Sequence, residues 1–214
     1  IRLGNDQTLC EGASYLIDAT VANCDDCEYL WNDDNEDPVR EVSPDETTTF
    51  AITITRPDGA VGIDEITIIV VPEEDIEYNL TTIDCYGENT GAIDLLNGGN
   101  SYSYEWSNGA ESQDINNLPA GAYEIILTDP NDCKSTATIA VTQQPDIIIG
   151  NEQVDVDCHG FATGSIDLQV NGGTGDYFYS WSNGAAEEDL TGLVADTYLI
   201  EIRDENNCVR SKEI

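Results

Sequence analysis

Tyr102-Ser103-Tyr104-Glu105-Trp106-Ser107-Asn108-Gly109-Ala110 and Tyr177-Phe178-Tyr179-Ser180-Trp181-Ser182-Asn183-Gly184-Ala185 are one stretch written twice. Trp31 stands as far before Trp106 as Trp106 stands before Trp181, again with a Tyr two positions ahead of it, Tyr29, and an Asn close behind it. In the middle copy Tyr102, Tyr104 and Trp106 fall on one face of an extended chain, and the same period of two runs through Tyr123, Ile125 and Leu127 and through Tyr198, Ile200 and Ile202. Alternation of that kind belongs to half-buried β-strands, since successive side chains of a strand point to opposite faces. The Asn-Gly after each of the last two Trp residues is a hairpin-turn signal. A fixed period sets the architecture before any single residue does.

Working outward, the copies continue to match. Gly91 to Leu95 aligns with Gly164 to Leu168, Asn97-Gly98-Gly99 with Asn171-Gly172-Gly173, and Cys85 and Cys133 with Cys158 and Cys208. The pattern breaks at Val71-Pro72-Glu73 and again at Gln143-Gln144-Pro145, two short linkers stiffened by proline. Three modules are expected: a divergent one at residues 1–73, one at 76–145 and one at 146–214. The third ends soon after Cys208 and is expected to be truncated in its last strand. With no initiating Met, the chain reads as a segment of a longer array.

The expected fold is all-β, with tandem Ig-like antiparallel β-sandwich modules of about seven short strands each arranged as a rod. Trp31, Trp106, Trp181, Tyr123 and Tyr198 are the expected core residues. Tyr123 and Tyr198, each opening a later strand, are placed like the tyrosine of a tyrosine corner. Phe50 stands at that place in the first module and lacks the phenol.

Charge removes whole function classes. Asp and Glu number 43 against 7 Lys and Arg, a formal net charge of −36, and a chain so poor in cations cannot replace the counterions of a nucleic acid. At 40% hydrophobic residues a packed core is expected. Nowhere does an apolar run approach the roughly 18 residues of a membrane span, so no direct span is expected. Seven Cys at repeating positions point to an oxidising compartment.

Equivalent positions pair Cys85 with Cys133 and Cys158 with Cys208, each disulfide closing nearly a whole module. Cys24-Asp25-Asp26-Cys27 has CxxC spacing, but opens no helix and sits among acids, so a local loop disulfide is expected rather than a redox or zinc site. Cys10 is left over, as a buried thiol or as a partner to one of these two. His159, beside Cys158, has no nucleophile placed to work with it. Carboxylate pairs at glycosidase spacing will arise by chance among so many acids, and no phosphate loop, zinc helix or nucleophile elbow is present, so no enzyme activity and no obligatory cofactor are expected. Structural calcium is the small-ligand hypothesis, with Asp129, Asn131, Asp132, Asp204 and Asn206 as candidate oxygen ligands in matching loops before Cys133 and Cys208. The simpler reading is that these are turn residues tolerant of left-handed backbone.

The quoted stretches, together with Cys85-Tyr86-Gly87-Glu88-Asn89-Thr90-Gly91, the Asn-Gly-Gly turns and Leu118 to Asp129, resemble the SprB repeat of gliding-motility adhesins from Bacteroidota. The first module, with Leu9-Cys10-Glu11-Gly12 and Thr47-Thr48-Thr49-Phe50, resembles the Ig-like or PKD-like modules of the same surface proteins. The resemblance implies export by type IX secretion and a place in long adhesive filaments on the outer cell surface. The expected function is a structural and adhesive segment of such a filament. Its partners would be neighbouring modules, surface polysaccharide or a host or substratum surface. Two alternatives are a carbohydrate-binding module array of a secreted hydrolase, which needs exposed aromatics, and a filament subunit assembled by strand donation between chains.

Overall fold

The computed structural model describes residues 2–158 and 160–214, so His159 lies outside the described residues. Eighteen strands and no helix are described, six strands in each repeat copy instead of the expected seven. In the first copy β1 (Gln7–Cys10), β6 (Val61–Val71), β5 (Thr48–Thr55) and β3 (Glu28–Trp31) form a sheet in that order, and β2 (Tyr15–Asp18) pairs with β4 (Val39–Val42). Among the described residues the isolated bridge of Ile83 with Gln143 is parallel, and one strand pair departs from the antiparallel expectation too: β1 runs parallel to β6, from Gln7 opposite Ile68 to Cys10 opposite Val71. That register carries Cys10 to the end of the last strand, beside the linker, where Glu11 N–H donates to the Val71 carbonyl at 2.8 Å.

The other two copies share one plan. In the middle copy β7 (Tyr78–Thr81), β8 (Gly91–Leu95) and β10 (Ile115–Leu118) make one sheet, and β9 (Ser103–Trp106), β11 (Gly121–Thr128) and β12 (Lys134–Val141) the other. The third copy repeats this with β13 (Ile148–Val154), β14 (Gly164–Asn171) and β16 (Leu190–Leu193), then β15 (Phe178–Trp181), β17 (Leu199–Arg203) and β18 (Val209–Glu213). Its last strand is present but short: β18 pairs antiparallel with β17 from Leu199 opposite Glu213 to Arg203 opposite Val209. It is five residues long where β12 has eight. The sheets form sandwich-like Ig modules.

Alternation places the core. Phe50, Ile52 and Ile54 of β5, Tyr123, Ile125 and Leu127 of β11, and Ile200 and Ile202 of β17 are buried, while most of their neighbours are not. Trp31, Trp106 and Trp181 are buried at 1%, 4% and 3% exposure, and Tyr123 is buried too, whereas Tyr198, expected in the core, is only half-buried at its edge. The chain forms two compact units that do not coincide with the copies: Ile1–Glu77, Leu96–Gln113 and Ile125–Ala137 make the first, and Tyr78–Leu95, Asp114–Glu124 and Thr138–Ile214 the second. Trp31 lies in the core of the first unit with Ile17, Phe50, Ile52, Ile66 and Ile68, and Trp181 in the core of the second with Ile166, Leu168, Ile200 and Ile202.

Candidate functional site: cysteine turns and linkers

Two turn types recur around the cysteines. The early turn is Cys-x-Gly: Cys10-Glu11-Gly12, Cys85-Tyr86-Gly87 and Cys158-His159-Gly160. In each, the Cys carbonyl accepts from the N–H three residues on, Ala13 at 3.0 Å, Glu88 at 3.2 Å and Phe161 at 3.1 Å. Each glycine has positive φ, at 76°, 80° and 83°, a backbone that other residues adopt only at a cost. The late turn is Asp-x-x-x-Cys. Asp129 N–H donates to the Cys133 carbonyl at 2.9 Å and Asp204 N–H to that of Cys208 at 3.1 Å, while Asp132 and Asn207 take the left-handed place at φ 63° and 66°.

The carboxylate of each late turn is occupied by its own backbone. Asp129 Oδ1 accepts from the Asn131 and Cys133 N–H groups, both at 2.8 Å, and Oδ2 from the Asn131 amide at 3.0 Å. Burial pushes the Asp129 carboxyl up, but these hydrogen bonds outweigh it and hold the group below the usual carboxylate value of 3.8. Asp204 is 1% exposed, and its two oxygens accept from Cys208 N–H and Thr174 N–H, both at 2.9 Å. Of the calcium candidates, Asp129, Asn131 and Asp132 thus share one turn and Asp204 and Asn206 the other. Among the described residues no group of three or more His, Cys, Asp or Glu is set to hold a metal ion.

The disulfides join early turns to late turns of the following copy. Cys10 is bonded to Cys133 and Cys85 to Cys208, each pair 123 residues apart with Cα atoms 5.3 Å apart, within ordinary disulfide reach. Cys24 is bonded to Cys27, and Cys158 is free and exposed. This corrects the expected pairs, Cys85 with Cys133 and Cys158 with Cys208, and gives Cys10 a partner. The reason lies in the register of β1, which delivers Cys10 to the linker end of the first copy, where the late turn of the next copy begins. Cys85 takes the same place one copy on, and the Cys208 sulfur lies 3.2 Å from the Asp84 carbonyl. A signal for this existed in the sequence: Cys10 stands as far before Trp31 as Cys85 stands before Trp106, and both begin Cys-x-Gly.

Each linker is held by side chains and turns of the copy that follows it. Glu74 N–H donates to the buried Ser135 hydroxyl at 2.9 Å, Asn97 Nδ2 to the Asp75 carbonyl at 2.6 Å, and Glu77 N–H to Asn97 Oδ1 at 3.1 Å. In the next linker the Asn-Gly-Gly turn again supplies the contact, with Gly173 N–H donating to the Pro145 carbonyl at 3.1 Å. Arg210 of β18 forms an ion pair with Asp146 at 2.7 Å.

The aromatic residues repeat as closely. Each Trp indole N–H donates to the carbonyl six residues on: Trp31 to Asp37 at 2.8 Å, Trp106 to Ser112 and Trp181 to Glu187 at 2.9 Å. Tyr123 donates to the Pro119 carbonyl at 2.9 Å and Tyr198 to that of Val194 at 3.1 Å, the corner bond four residues back. Tyr179 is pushed up to about 12, first by burial and then by the Glu188 carboxylate.

Residues 150–186 match the SprB repeat. The matched span runs from β13 through the Trp181 turn, inside the third copy. No curated protein sequence matches the chain. Among solved structures it is similar to an I-band fragment of titin, at 9% identity over 98% of this chain and 94% of that one, with a TM-score of 0.41. The eight N-terminal Ig domains of the Down Syndrome Cell Adhesion Molecule align at 11% identity over 98% of this chain and 35% of that one, with a TM-score of 0.48. The full ectodomain of mouse nectin-like molecule 4 aligns at 11% identity over 99% and 96%, with a TM-score of 0.44. The SprB-repeat match is confined to residues 150–186, and it is the strand order and the buried core that make the sheets sandwich-like Ig modules. No helix among the described residues is long and apolar enough to cross a membrane.

Proposed function

We propose that this chain is a non-catalytic, load-bearing segment of a secreted repeat protein displayed at a cell surface, in an adhesin filament of gliding-motility type exported by type IX secretion. The observation that carries the reading is the pair of overlapping disulfides between consecutive repeat copies. A covalent bond from one copy to the next resists separation of the copies under tension, and such bonds persist where the medium is oxidising. The SprB-repeat match supports the surface setting. The charge of −36 keeps neighbouring filaments apart in salty water, where screening within about 8 Å limits self-repulsion. Partners of this segment are the adjoining modules and, for adhesion, a polysaccharide or substratum surface. Carbohydrate stacking on Trp106 and Trp181 finds no support, since both rings are buried and their N–H groups are engaged within the chain.

The test is thermal unfolding with and without a reductant. In the chain-entropy model each 123-residue closure stabilises by about 5 kcal/mol. For a chain of this length, loss of both is expected to lower the midpoint by roughly 20 °C or more. A midpoint indifferent to reductant would sink the load-bearing reading.

A further inference from the structure

Three early turns are built alike, and two of them are already bonded to the late turn of the next copy. Cys158 opens the same Cys-x-Gly sequence as Cys10 and Cys85, with the same hydrogen bond to its carbonyl from three residues on and the same left-handed glycine, yet its thiol is free and exposed. We propose that Cys158 is a covalent linking site for the Asp-x-x-x-Cys turn of a further copy of the repeat. The disulfides are then a running chain of identical links in which each copy is fastened to the one after it.

A second feature of the same copy indicates the same occupant. In the middle copy Ile83 is fully buried, exchanging hydrogen bonds with the outgoing linker: its N–H donates to the Thr142 carbonyl at 2.9 Å, and Gln144 N–H donates to its carbonyl at 3.1 Å. Val141 lies against Gly91, whose added Cβ would meet the Val141 Cγ1 methyl at 2.5 Å. The third copy has Val156 and Gly164 at these places, and there a cavity of about 230 Å³ opens between Val154, Val156, Ile166, Leu193 and Ile214. A linker leading to a further copy would fill it as Val141 to Gln144 fill theirs.

The link has a direction. The first copy carries the late turn's hydrogen bonds, with Arg56 N–H to the Ala60 carbonyl at 2.8 Å and Gly59 N–H to the Arg56 carbonyl at 2.8 Å, but Ala60 stands where Cys133 and Cys208 stand. That turn cannot receive a link, whereas Cys158 can give one. Closing it takes two thiols, which lose two protons and two electrons to a second disulfide that departs as two thiols.

The experiment extends the 214-residue chain by a second copy of its own residues 140–214, which supplies the Val141 to Gln144 linker. The added counterpart of Cys208 then stands 125 residues from Cys158, the observed 123 plus the two residues by which the third copy is longer between its early Cys and its Trp. The protein is folded with oxidised glutathione, digested without reduction and mapped by mass spectrometry. The expected product is a peptide joining Cys158 to the added late cysteine, with one free thiol left per molecule, the added counterpart of Cys158. A Cys158 that stays alkylatable, or an added copy closed on its own two cysteines, overturns the proposal. Peptides joining Cys10 to Cys133 and Cys85 to Cys208 in the same digest show that the parent part has folded, and their absence from the 214-residue chain would remove the register and overturn it as well.

Discussion

Asp129 and Asp204 show how one residue type can serve two chemistries and how hydrogen bonds choose between them. A calcium ion in either late turn would have to compete with N–H donors already aligned at 2.8–3.0 Å on the carboxylate oxygens, and hard-cation sites need six or more oxygens free to turn toward the ion. The unfolding midpoint is therefore expected to be the same in EDTA and in excess calcium, and a rise with calcium would make these turns metal sites. The same bonds give a pH signature. Because the Asp129 carboxyl is held below its usual 3.8, its contribution is present above that value and is lost as pH falls through the folded-state value. Asp129→Asn should lower the midpoint at neutral pH, with the gap between variant and parent closing below about pH 3.8. A gap independent of pH would mean that the charge contributes nothing. At this scale the sequence was legible for Trp181 and Tyr198, where type and period agree, and illegible for Cys85. Pairing Cys85 with Cys133 or with Cys208 differs by one repeat period, so spacing within a repeat cannot distinguish them.

Strands and turns were more legible than pairings because they depend on neighbours in sequence. Alternation marked β9, β11 and β17 directly, and the turn after each Trp follows from the left-handed Asp34, Gly109 and Gly184, which return the chain so that the Trp backbone N–H meets the carbonyl four residues on at 2.9 Å or 3.0 Å. The parallel pairing of β1 with β6 was hidden, since it joins residues about sixty apart and leaves no local periodic trace. So was the fate of β18, whose Val209 to Glu213 alternate too weakly in hydropathy to announce a strand. Gly91 and Gly164 provide an element-level test of how the sandwich edge closes. A methyl at Gly91 meets the Val141 side chain at 2.5 Å and the Leu118 carbonyl at 3.0 Å, whereas at Gly164 the nearest atoms are the Leu193 and Val154 carbonyls at 3.2 and 3.3 Å. Overpacking at such contacts costs about 1–3 kcal/mol. Gly91→Ala should thus lower the unfolding midpoint clearly more than Gly164→Ala, and equal effects would show that Val141 yields without cost.

On the scale of the whole molecule, the overlap of the two long disulfides decides how a pulling force travels. Residues 11–132 lie in the loop closed by Cys10–Cys133 and residues 86–207 in that closed by Cys85–Cys208, so the loops share the stretch from Cys85 to Cys133. The shortest covalent path between the ends therefore runs to Cys10, crosses to Cys133, returns along the chain to Cys85, crosses to Cys208 and leaves at Ile214. That path holds roughly 63 residue steps, or roughly 220 Å at about 3.5 Å per residue, against roughly 750 Å for the reduced chain. Disulfides closed within each copy would instead permit roughly 400 Å. Force spectroscopy on the chain held by its termini should stop near the shortest length while oxidised and reach the longest after reduction, and a plateau near the intermediate length would overturn the pairing. Under load, tension along the backbone then falls on the two short ends and on the middle copy between its own cysteines, while most of the first and third copies hang in loops that bear none. A filament joined this way would meet each pull with one short covalent segment per copy, which is why the order of linkage matters more to its strength than the number of disulfides.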